Sequence, residues 1–427
     1  MTATKLVEKA MAKAQGAQAS LIKTESTNVA FENDKLKSSR TSQTTRVAVR
    51  VILDGKIGSC STTDAGDIDG VVAGALDAAE FGSPIHFNLP GAQEGTDVKV
   101  YDHAVLPVTK EEMVHICEEM LSALKGHNAD ILVNAGIGKS SSSAEFANSS
   151  GIQFATETTS FGGGVSGVWV RGTDILWAGR GHGSRKRELD HLAIARKAVE
   201  LFKMAEKTAP AQSGEMPVIF APEGMHVLLL ALRMGFNGKN VVLGASPLRG
   251  KLGEAIAHAG LSITDNPLID HAAASSKYDG EGVPRQVTPI IRNGVLENFL
   301  YDLDTAGRAS AKTTGHGIGC SPTNLVIDEG DTTYEDMIRE TREGLLVHSV
   351  MGLGQGNPMS GEFSVNVQLG YKIENGEIVG RVKDVMLAGN TYDALKNIDA
   401  IGDKAEWVGG TLLTPPVKIR GMSVVAK

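Results

Sequence analysis

The sequence predicts an α+β fold: an N-terminal domain of antiparallel strands with helices, and a β-rich C-terminal domain of barrel or curved antiparallel sheet type. The 427-residue chain contains 50 glycines and only 5% aromatic residues. This balance is typical of many short strands and turns rather than of a helical bundle. Apolar residues also alternate along several runs, most clearly Arg46–Val51, as in an antiparallel strand with one solvated face.

The N-terminal half is predicted to mix strands and helices. Capping residues at Thr62, Thr63 and Asp64 begin one helix, and the capping box Thr109-Lys-Glu-Glu112 begins another. The predicted helices are residues 3–15, Asp64–Phe81, Thr109 to about Lys125, and Glu188–Glu206. The predicted strands are Ala19–Phe31, Leu36–Gln43, Thr45–Leu53 and Lys56–Thr62, then several between Ala129 and Ala178.

A domain boundary is predicted at residues 208–217, which are rich in proline, glycine and small residues and have no periodicity. It separates an N-terminal domain, residues 1–207, from a C-terminal domain, residues 218–427. After the boundary, helices are predicted at Pro222–Met234 and Leu248–Ala259, followed mostly by strands.

The most informative stretch is Gly344–Asn390. Apolar residues alternate along Phe363–Ile373, which predicts a strand. Asn375-Gly376 is typical of a tight hairpin turn, and Ile378–Leu387 is the predicted return strand. The preceding Gly352–Gly361 loop is rich in glycine, which lets a backbone approach a ligand or another backbone closely. Loop and hairpin could therefore offer a strand edge to a peptide, or could simply connect core strands.

Composition excludes several classes of protein. The net charge is −8 and no long basic run occurs, which disfavours a nucleic-acid partner. The three cysteines lie far apart with no C-x-x-C spacing, which excludes a cysteine zinc ribbon and suits a reducing cytosol. No apolar run is long enough to span a bilayer, and no signal peptide is evident. A cytoplasmic location without membrane or nucleic-acid partners is therefore expected.

Few residues have the spacing of a known catalytic site. None of the eleven histidines precedes a glutamate, so H-E-x-x-x-H is absent. His316, between glycines, and Cys320 are weak candidates for a nucleophile or metal pair, or His316 simply bonds loop carbonyls. His226, followed by leucines, is expected to be a core or boundary residue rather than a ligand. Gly136–Ser140 lacks the first glycine of a phosphate loop and is predicted to be a turn.

Short motifs are distributed along nearly the whole chain. They are Val29–Asn33, Arg46–Val51, Asp54–Gly58, Pro217–Pro222, Asp279–Val283, Thr314–His316, Gly344–Val347, Met351–Gly352, Ser360–Ser364, Ile373–Glu377 and Ala388–Asn390. In their order and spacing, these motifs resemble the TldD/PmbA family, whose members have been called modulators of DNA gyrase and are implicated in proteolytic peptide maturation.

The resemblance implies which kind of family member this chain is. TldD-like chains carry H-E-x-x-x-H on the helix after the domain boundary and a zinc-binding cysteine near the C-terminus. The matching segments here, Pro222–Met234 with His226 and Glu406–Pro416, contain neither element. The chain therefore resembles the TldE (PmbA) kind, which implies no metal or cofactor in this chain. Zinc and the catalytic glutamate are then expected in a TldD-like partner, and this chain alone is expected to be inactive.

Two functions follow from the resemblance. In the first, the chain forms a heterodimer with a TldD-like subunit and holds unfolded or precursor peptides as an added strand in a shared chamber. In the second, it is a non-enzymatic homodimer that binds peptides or regulates a partner such as gyrase. An independent hydrolase using His316 and Cys320 is a third possibility. The residues expected to contact substrate or line the chamber are His316, Gly352, Gly354, Gly356, Glu362, Ser364 and Asn390.

Overall fold

The structure is a computed structural model and describes residues 2–426. Its helices are α1 Ala3–Ala10, α2 Ile68–Glu80, α3 Lys110–His127, α4 His191–Met204, α5 His226–Gly235, α6 Gly238–Val242, α7 Leu303–Ala309, α8 Tyr334–Arg339 and α9 Thr391–Lys396. Short 3-10 turns occur at His103–Val105, Pro222–Met225 and Pro358–Ser360. The α+β class predicted from the sequence is confirmed.

The strands form three sheets. They are β1 Gly16–Glu32, β2 Lys35–Leu53, β3 Lys56–Thr62, β4 Leu132–Asn148, β5 Gln153–Arg171, β6 Asp174–Ser184, β7 Gly214–Phe220, β8 Ile263–Asp265, β9 Thr288–Arg292, β10 Val295–Leu296, β11 Leu325–Ile327, β12 Glu343–Met351, β13 Glu362–Glu374, β14 Glu377–Arg381, β15 Val385–Asn390, β16 Ile398–Ile401, β17 Glu406–Val408, β18 Leu412–Thr414 and β19 Val417–Ala426.

The N-terminal sheet is a curled half-barrel of long antiparallel strands in the order β3-β2-β1-β4-β5-β6. The predicted strands Leu36–Gln43 and Thr45–Leu53 are one continuous strand, β2. Glycines permit the curl where β4, β5 and β6 meet, because Gly136, Gly164 and Gly181 are paired across the three strands. A side chain at Gly164 would overlap the Arg180 carbonyl.

The C-terminal half contains a closed barrel, as predicted. Its ring runs β12-β7-β19-β15-β13 and closes through the β12–β13 pairing, while β14 and β16 attach at its sides. Only β7 and β12 are parallel within the ring. A third sheet, in the order β10-β9-β8-β11-β18-β17, lies beside the barrel and includes the Asn293-Gly294 hairpin.

Several predicted elements differ from the structure. The turn expected at Gly136–Ser140 is wrong, because these residues lie within strand β4 and pair with β1 and β5. The helix expected at Leu248–Ala259 is wrong, because the segment forms turns in which Gly250 and Gly253 have positive φ values of 80° and 81°. The Gly253 and Ile256 amides donate to the Leu296 and Gly294 carbonyls instead of to a helix. The return strand expected at Ile378–Leu387 is divided into β14 and β15 around Asp384, whose φ is 54°.

One apolar core joins the two halves of the chain. Residues of α3, α4 and β4 pack in a single cluster with Ile219 of β7, Leu346 of β12 and Tyr371 of β13. Tyr371 is fully buried, and its hydroxyl donates to the Leu201 carbonyl of α4 at 2.8 Å. β7 begins at Gly214, inside the segment expected to link the domains, so part of that segment belongs to the barrel.

No helix within residues 2–426 combines the length and apolar character needed to cross a membrane.

Replacing Gly164 should test whether glycine is needed for the curl. We expect Gly164→Ala to lower the free energy of unfolding by about 1–3 kcal/mol, because the new methyl group meets the Arg180 carbonyl. The matched control is Gly126→Ala in α3, where an added methyl group would have no neighbour within 4 Å and stability should rise slightly. Urea unfolding measures both, and equal stability of the two variants would contradict the steric argument.

Candidate functional site

Two adjoining cavities of about 590 and 610 Å³ lie at the junction of half-barrel and barrel. Arg180 of β6, Lys197 of α4 and Glu406 of β17 line both of them. The first cavity also has Glu223 and Gly410 in its wall, and the second has Pro222 and Pro416. The fold therefore brings together the two segments, Pro222–Met234 and Glu406–Pro416, that the family resemblance singled out.

Local structure explains how these segments meet. Pro222 begins a 3-10 turn directly after β7, which places Glu223 at the barrel end facing β6. Gly410 has a φ of 78°, and a side chain there would overlap the Gly183 carbonyl of β6. Glycine is therefore required for the C-terminal segment to approach the half-barrel backbone this closely.

Arg180 is the centre of a buried polar cluster. Its Nη1 lies 2.7 Å from Glu223 Oε1, and its Nη2 donates to His348 Nδ1 at 3.2 Å. Because a guanidinium can only donate, His348 Nδ1 is the acceptor and the imidazole proton is on Nε2. The Glu223 carboxylate is 3.8 Å from His348 Nδ1, too far for a hydrogen bond.

Protonation states follow from burial and charge. Burial lowers the pKa of His348 below its ordinary value of 6.5 and keeps the ring neutral. Burial alone would raise the pKa of Glu223, but the positive charge of Arg180, 2.7 Å away, outweighs burial and lowers it. Burial raises the pKa of the Tyr334 hydroxyl. The cluster is thus one ion pair flanked by a neutral imidazole and a neutral phenol.

Several polar atoms of this cluster lack hydrogen-bond partners among the described residues. They are Arg180 Nε, Glu223 Oε2, His348 Nε2 and Tyr334 Oη. A buried polar atom left unpaired costs about 1–3 kcal/mol. Four such atoms in one cluster indicate a functional region rather than a structural ion pair.

The cluster does not have the donor set of a metal site. Within residues 2–426, no three His, Cys, Asp or Glu side chains are close enough together to hold a metal ion. Glu223 is already paired with Arg180, whose positive charge disfavours a second cation there. The residues around these cavities therefore do not fit a zinc ion.

His316 and Cys320 lie elsewhere, in the loop after α7. His316 is buried, with Nε2 2.8 Å from Asp265 Oδ2 and Nδ1 2.9 Å from Thr314 Oγ1. Cys320 Sγ is 3.3 Å from the Asp302 amide and 3.2 Å from Thr305 Oγ1, and burial raises the pKa of its thiol. Both ring nitrogens of His316 are thus engaged by residues other than Cys320.

The Gly352–Gly361 loop is largely exposed, and several of its glycines adopt left-handed backbone conformations. Gly352, Gly354 and Gly356 have φ values of 80°, 99° and 96°, which side-chain-bearing residues rarely adopt. Its end is tied to Asn390, whose Nδ2 donates to the Ser360 carbonyl at 3.0 Å.

The other predicted substrate or chamber residues surround that loop end. Glu362 is exposed and Ser364 half-buried, both on β13. Tyr392 links this region to α5 through a 3.3 Å hydrogen bond to the Ala231 carbonyl. His226 begins α5 and is partly buried, and burial lowers its pKa. None of the predicted site residues is among those lining the two cavities.

Local patterns in the sequence do not single out Arg180, Glu223, Tyr334 or His348 as functional residues. One signal was available: His348 directly follows the apolar run Leu345–Val347, so a polar side chain lies within the buried part of strand β12. The convergence of the four residues depends on the packing of β6, β12 and α8, which local patterns do not reveal.

The family model for the PmbA/TldA metallopeptidase C-terminal domain matches residues 213–426, and the model for domain 1 of the same family matches residues 17–79. The chain belongs to the TldD/PmbA family. The recognition made from its motifs is confirmed.

Relatives cover this chain to different extents. An uncharacterized protein of Methanocaldococcus jannaschii is 27% identical over 412 residues, 94% of each chain. A protein named Metalloprotease PmbA from Escherichia coli O157:H7 is 32% identical over 209 residues, 48% of this chain and 46% of its own. The structure of TldE from Thermococcus kodakarensis has a TM-score of 0.89 at 22% identity, covering 99% of both chains, and so shows the same fold.

Thiol labelling should distinguish the three cysteines. Cys117 and Cys320 are buried and burial raises both pKa values, that of Cys117 to about 12. We expect a neutral disulfide reagent to modify only half-buried Cys60 in the native protein, and all three after unfolding. Rapid native modification of Cys320, located by mass spectrometry, would contradict its buried environment.

Removing Arg180 alone should destabilise the protein more than replacing both Arg180 and Glu223. Arg180→Met leaves Glu223 as an unpaired buried carboxylate, so we expect a loss of about 3 kcal/mol, and Glu223→Met added to it should recover most of that loss. Lys197→Met breaks an exposed pair with Glu406 and should cost at most about 1 kcal/mol. Urea unfolding checks this, and additive losses in the double variant would refute the coupling.

Proposed function

We propose that this chain is the metal-free, TldE-like subunit of a cytoplasmic TldD/TldE-type metallopeptidase that trims unfolded or precursor peptides. The observation that carries the proposal is the composition of the cavity walls. The segments matching the zinc-bearing parts of TldD-like chains meet there, yet they contribute Glu223 and Glu406, each facing a basic residue, instead of a metal-ligand set. The metal and the catalytic glutamate then belong to the TldD-like partner.

The cavities suit an extended peptide better than a compact small molecule. They adjoin at Arg180, and their combined walls mix apolar groups such as Leu189 and Trp407 with charged groups of both signs, including Lys197 and Glu406. Such walls accept varied side chains without selecting one strongly. The Gly352–Gly361 loop and residues 362–365 of β13, which pair with β15 on one side only, add a short strand edge near α5, where main-chain hydrogen bonds could hold substrate with little sequence preference.

An exposed apolar surface supports the presence of a partner subunit. Leu132 of β4, Val168 of β5 and Trp177 of β6 are paired across one face of the half-barrel. Val170 and Ile175 form the next row on the same face. Four of these side chains are more than one-third exposed, and Ile175 reaches 68%. A contiguous apolar surface of this kind is typical of a protein–protein interface, and we assign it to the TldD-like subunit.

The decisive experiment mixes this chain with a TldD-like chain from the same organism and an unstructured, internally quenched peptide. We expect efficient cleavage only when both chains are present, together with a heterodimer by light scattering. Cleavage by the TldD-like chain that is unchanged when this chain is omitted would refute the proposed role.

The proposed interface can be tested in the same assay. Ile175→Asp should abolish heterodimer formation and cleavage together, because it buries a charge in the apolar contact. The control is Val287→Asp, another exposed apolar position distant in sequence, which should leave both unchanged.

Cys320→Ala should also leave cleavage unaltered if the independent hydrolase is wrong.

The alternative function is that of a non-enzymatic homodimer that binds peptides or regulates a partner such as gyrase. The same apolar surface could pair two copies of this chain across a twofold axis. A homodimer that persists when the TldD-like chain is added would favour this alternative over the heterodimer.

A further inference from the structure

Strand β2 has an unpaired edge along more than half its length. Its residues Lys35–Thr45 pair with β1 on one side, whereas β3 pairs only with Val47–Leu53 on the other. No other strand within residues 2–426 pairs with this part of β2. Residues 35–41 are exposed at every position, so neither face of the strand is covered.

The length of this edge is unusual. At roughly 3.3 Å per residue, twelve residues from Lys35 to Arg46 extend for about 40 Å. Proteins usually shorten or interrupt exposed edges with proline, a bulge or a covering loop, because unpaired amides and carbonyls recruit other strands. This edge contains neither proline nor glycine, and its pairing with β1 is regular beyond one irregularity near the hairpin end.

The charge of the edge is opposite to that of the whole chain. It carries Lys35, Lys37, Arg40 and Arg46 and no acidic residue, although the chain has a net charge of −8. Lys37 alone has a carboxylate within ion-pair distance among the described residues, an exposed contact to Glu32 at 3.4 Å. The other three positive charges are available to a partner.

The charges also determine which strand can pair here. Antiparallel pairing of two copies along the whole edge would place Lys35 of each copy opposite Arg46 of the other, and like charges across paired strands are destabilising. The basic side chains therefore protect the edge from self-association, as edge lysines do in other sheets. The same charges attract a strand that carries carboxylates.

We propose that the Lys35–Arg46 edge of β2 binds an extended acidic polypeptide segment by β-strand addition. Main-chain amides and carbonyls of the edge would supply the pairing, and the four basic residues would select negative charge. Small hydroxyl side chains between them, such as Ser39 and Thr41, leave room for the side chains of an added strand. This site is independent of the two cavities and of any peptidase activity.

The first experiment uses a blocked ten-residue peptide of alternating glutamate and valine with the full-length chain. We expect saturable binding by calorimetry and slower amide hydrogen exchange confined to the segment spanning residues 35–46, because strand addition protects amides at the edge. Binding that leaves exchange in this segment unchanged would overturn the proposal.

Two control peptides separate backbone pairing from charge. A lysine–valine peptide keeps the strand propensity but should not bind, since its charge repels the edge. A glutamate–proline peptide keeps the charge but lacks half the amide donors and should bind far more weakly. Equal binding of either control peptide would refute recognition by strand addition with charge selection.

Matched protein variants locate the site. Lys37→Glu with Arg40→Glu reverses two exposed edge charges and should weaken binding of the glutamate–valine peptide about tenfold or more. Lys5→Glu with Lys13→Glu makes the same change in net charge at exposed positions of the N-terminal segment and should leave affinity unaltered. Equal weakening by both pairs would show that only net charge matters and would overturn the assignment.

Discussion

The packing of Tyr371 against α4 is the contact on which the arrangement of the two halves depends. Tyr371 belongs to the barrel strand β13, yet it is buried in a cluster made largely of α3, α4 and half-barrel residues. Its hydroxyl donates to the Leu201 carbonyl, and this hydrogen bond offsets the cost of removing the hydroxyl from water. Nearby, Arg381 of β14 pairs with Asp174 of β6. These contacts hold the barrel end against β6, and the two cavities lie along that junction.

A buried ion pair at such a junction is weak evidence for stability, because desolvation offsets much of its Coulombic gain. What distinguishes the Arg180 cluster is incomplete hydrogen bonding: His348, Tyr334 and Glu223 each have a buried atom without a partner among the described residues. An apolar junction would be simpler to stabilise. The polar groups at this junction suit contact with another polypeptide, either a bound peptide or a partner subunit. They therefore support the proposed chamber.

Family membership and the chemistry of the cavity walls point in different directions. The family models place the metallopeptidase C-terminal domain over residues 213–426, but the cavity walls carry salt bridges where a metal site would need free ligands. Under the proposed function, the contribution left to this chain is shape and binding. Three surfaces could bind another molecule: the polar cavities, the apolar face around Ile175 and the basic edge of β2.

Prediction from the sequence succeeded for the fold class, most strands and helices, and the family, because alternation, capping residues and Asn-Gly turns act over a few neighbouring residues. It failed at Leu248–Ala259, where two glycines with positive φ override an apparently helical pattern. The contact of Asp265 with His316, and the convergence of Arg180, Glu223 and His348, are visible only in the three-dimensional structure. Those contacts join residues that are far apart in the chain, so they depend on how sheets pack rather than on any local pattern.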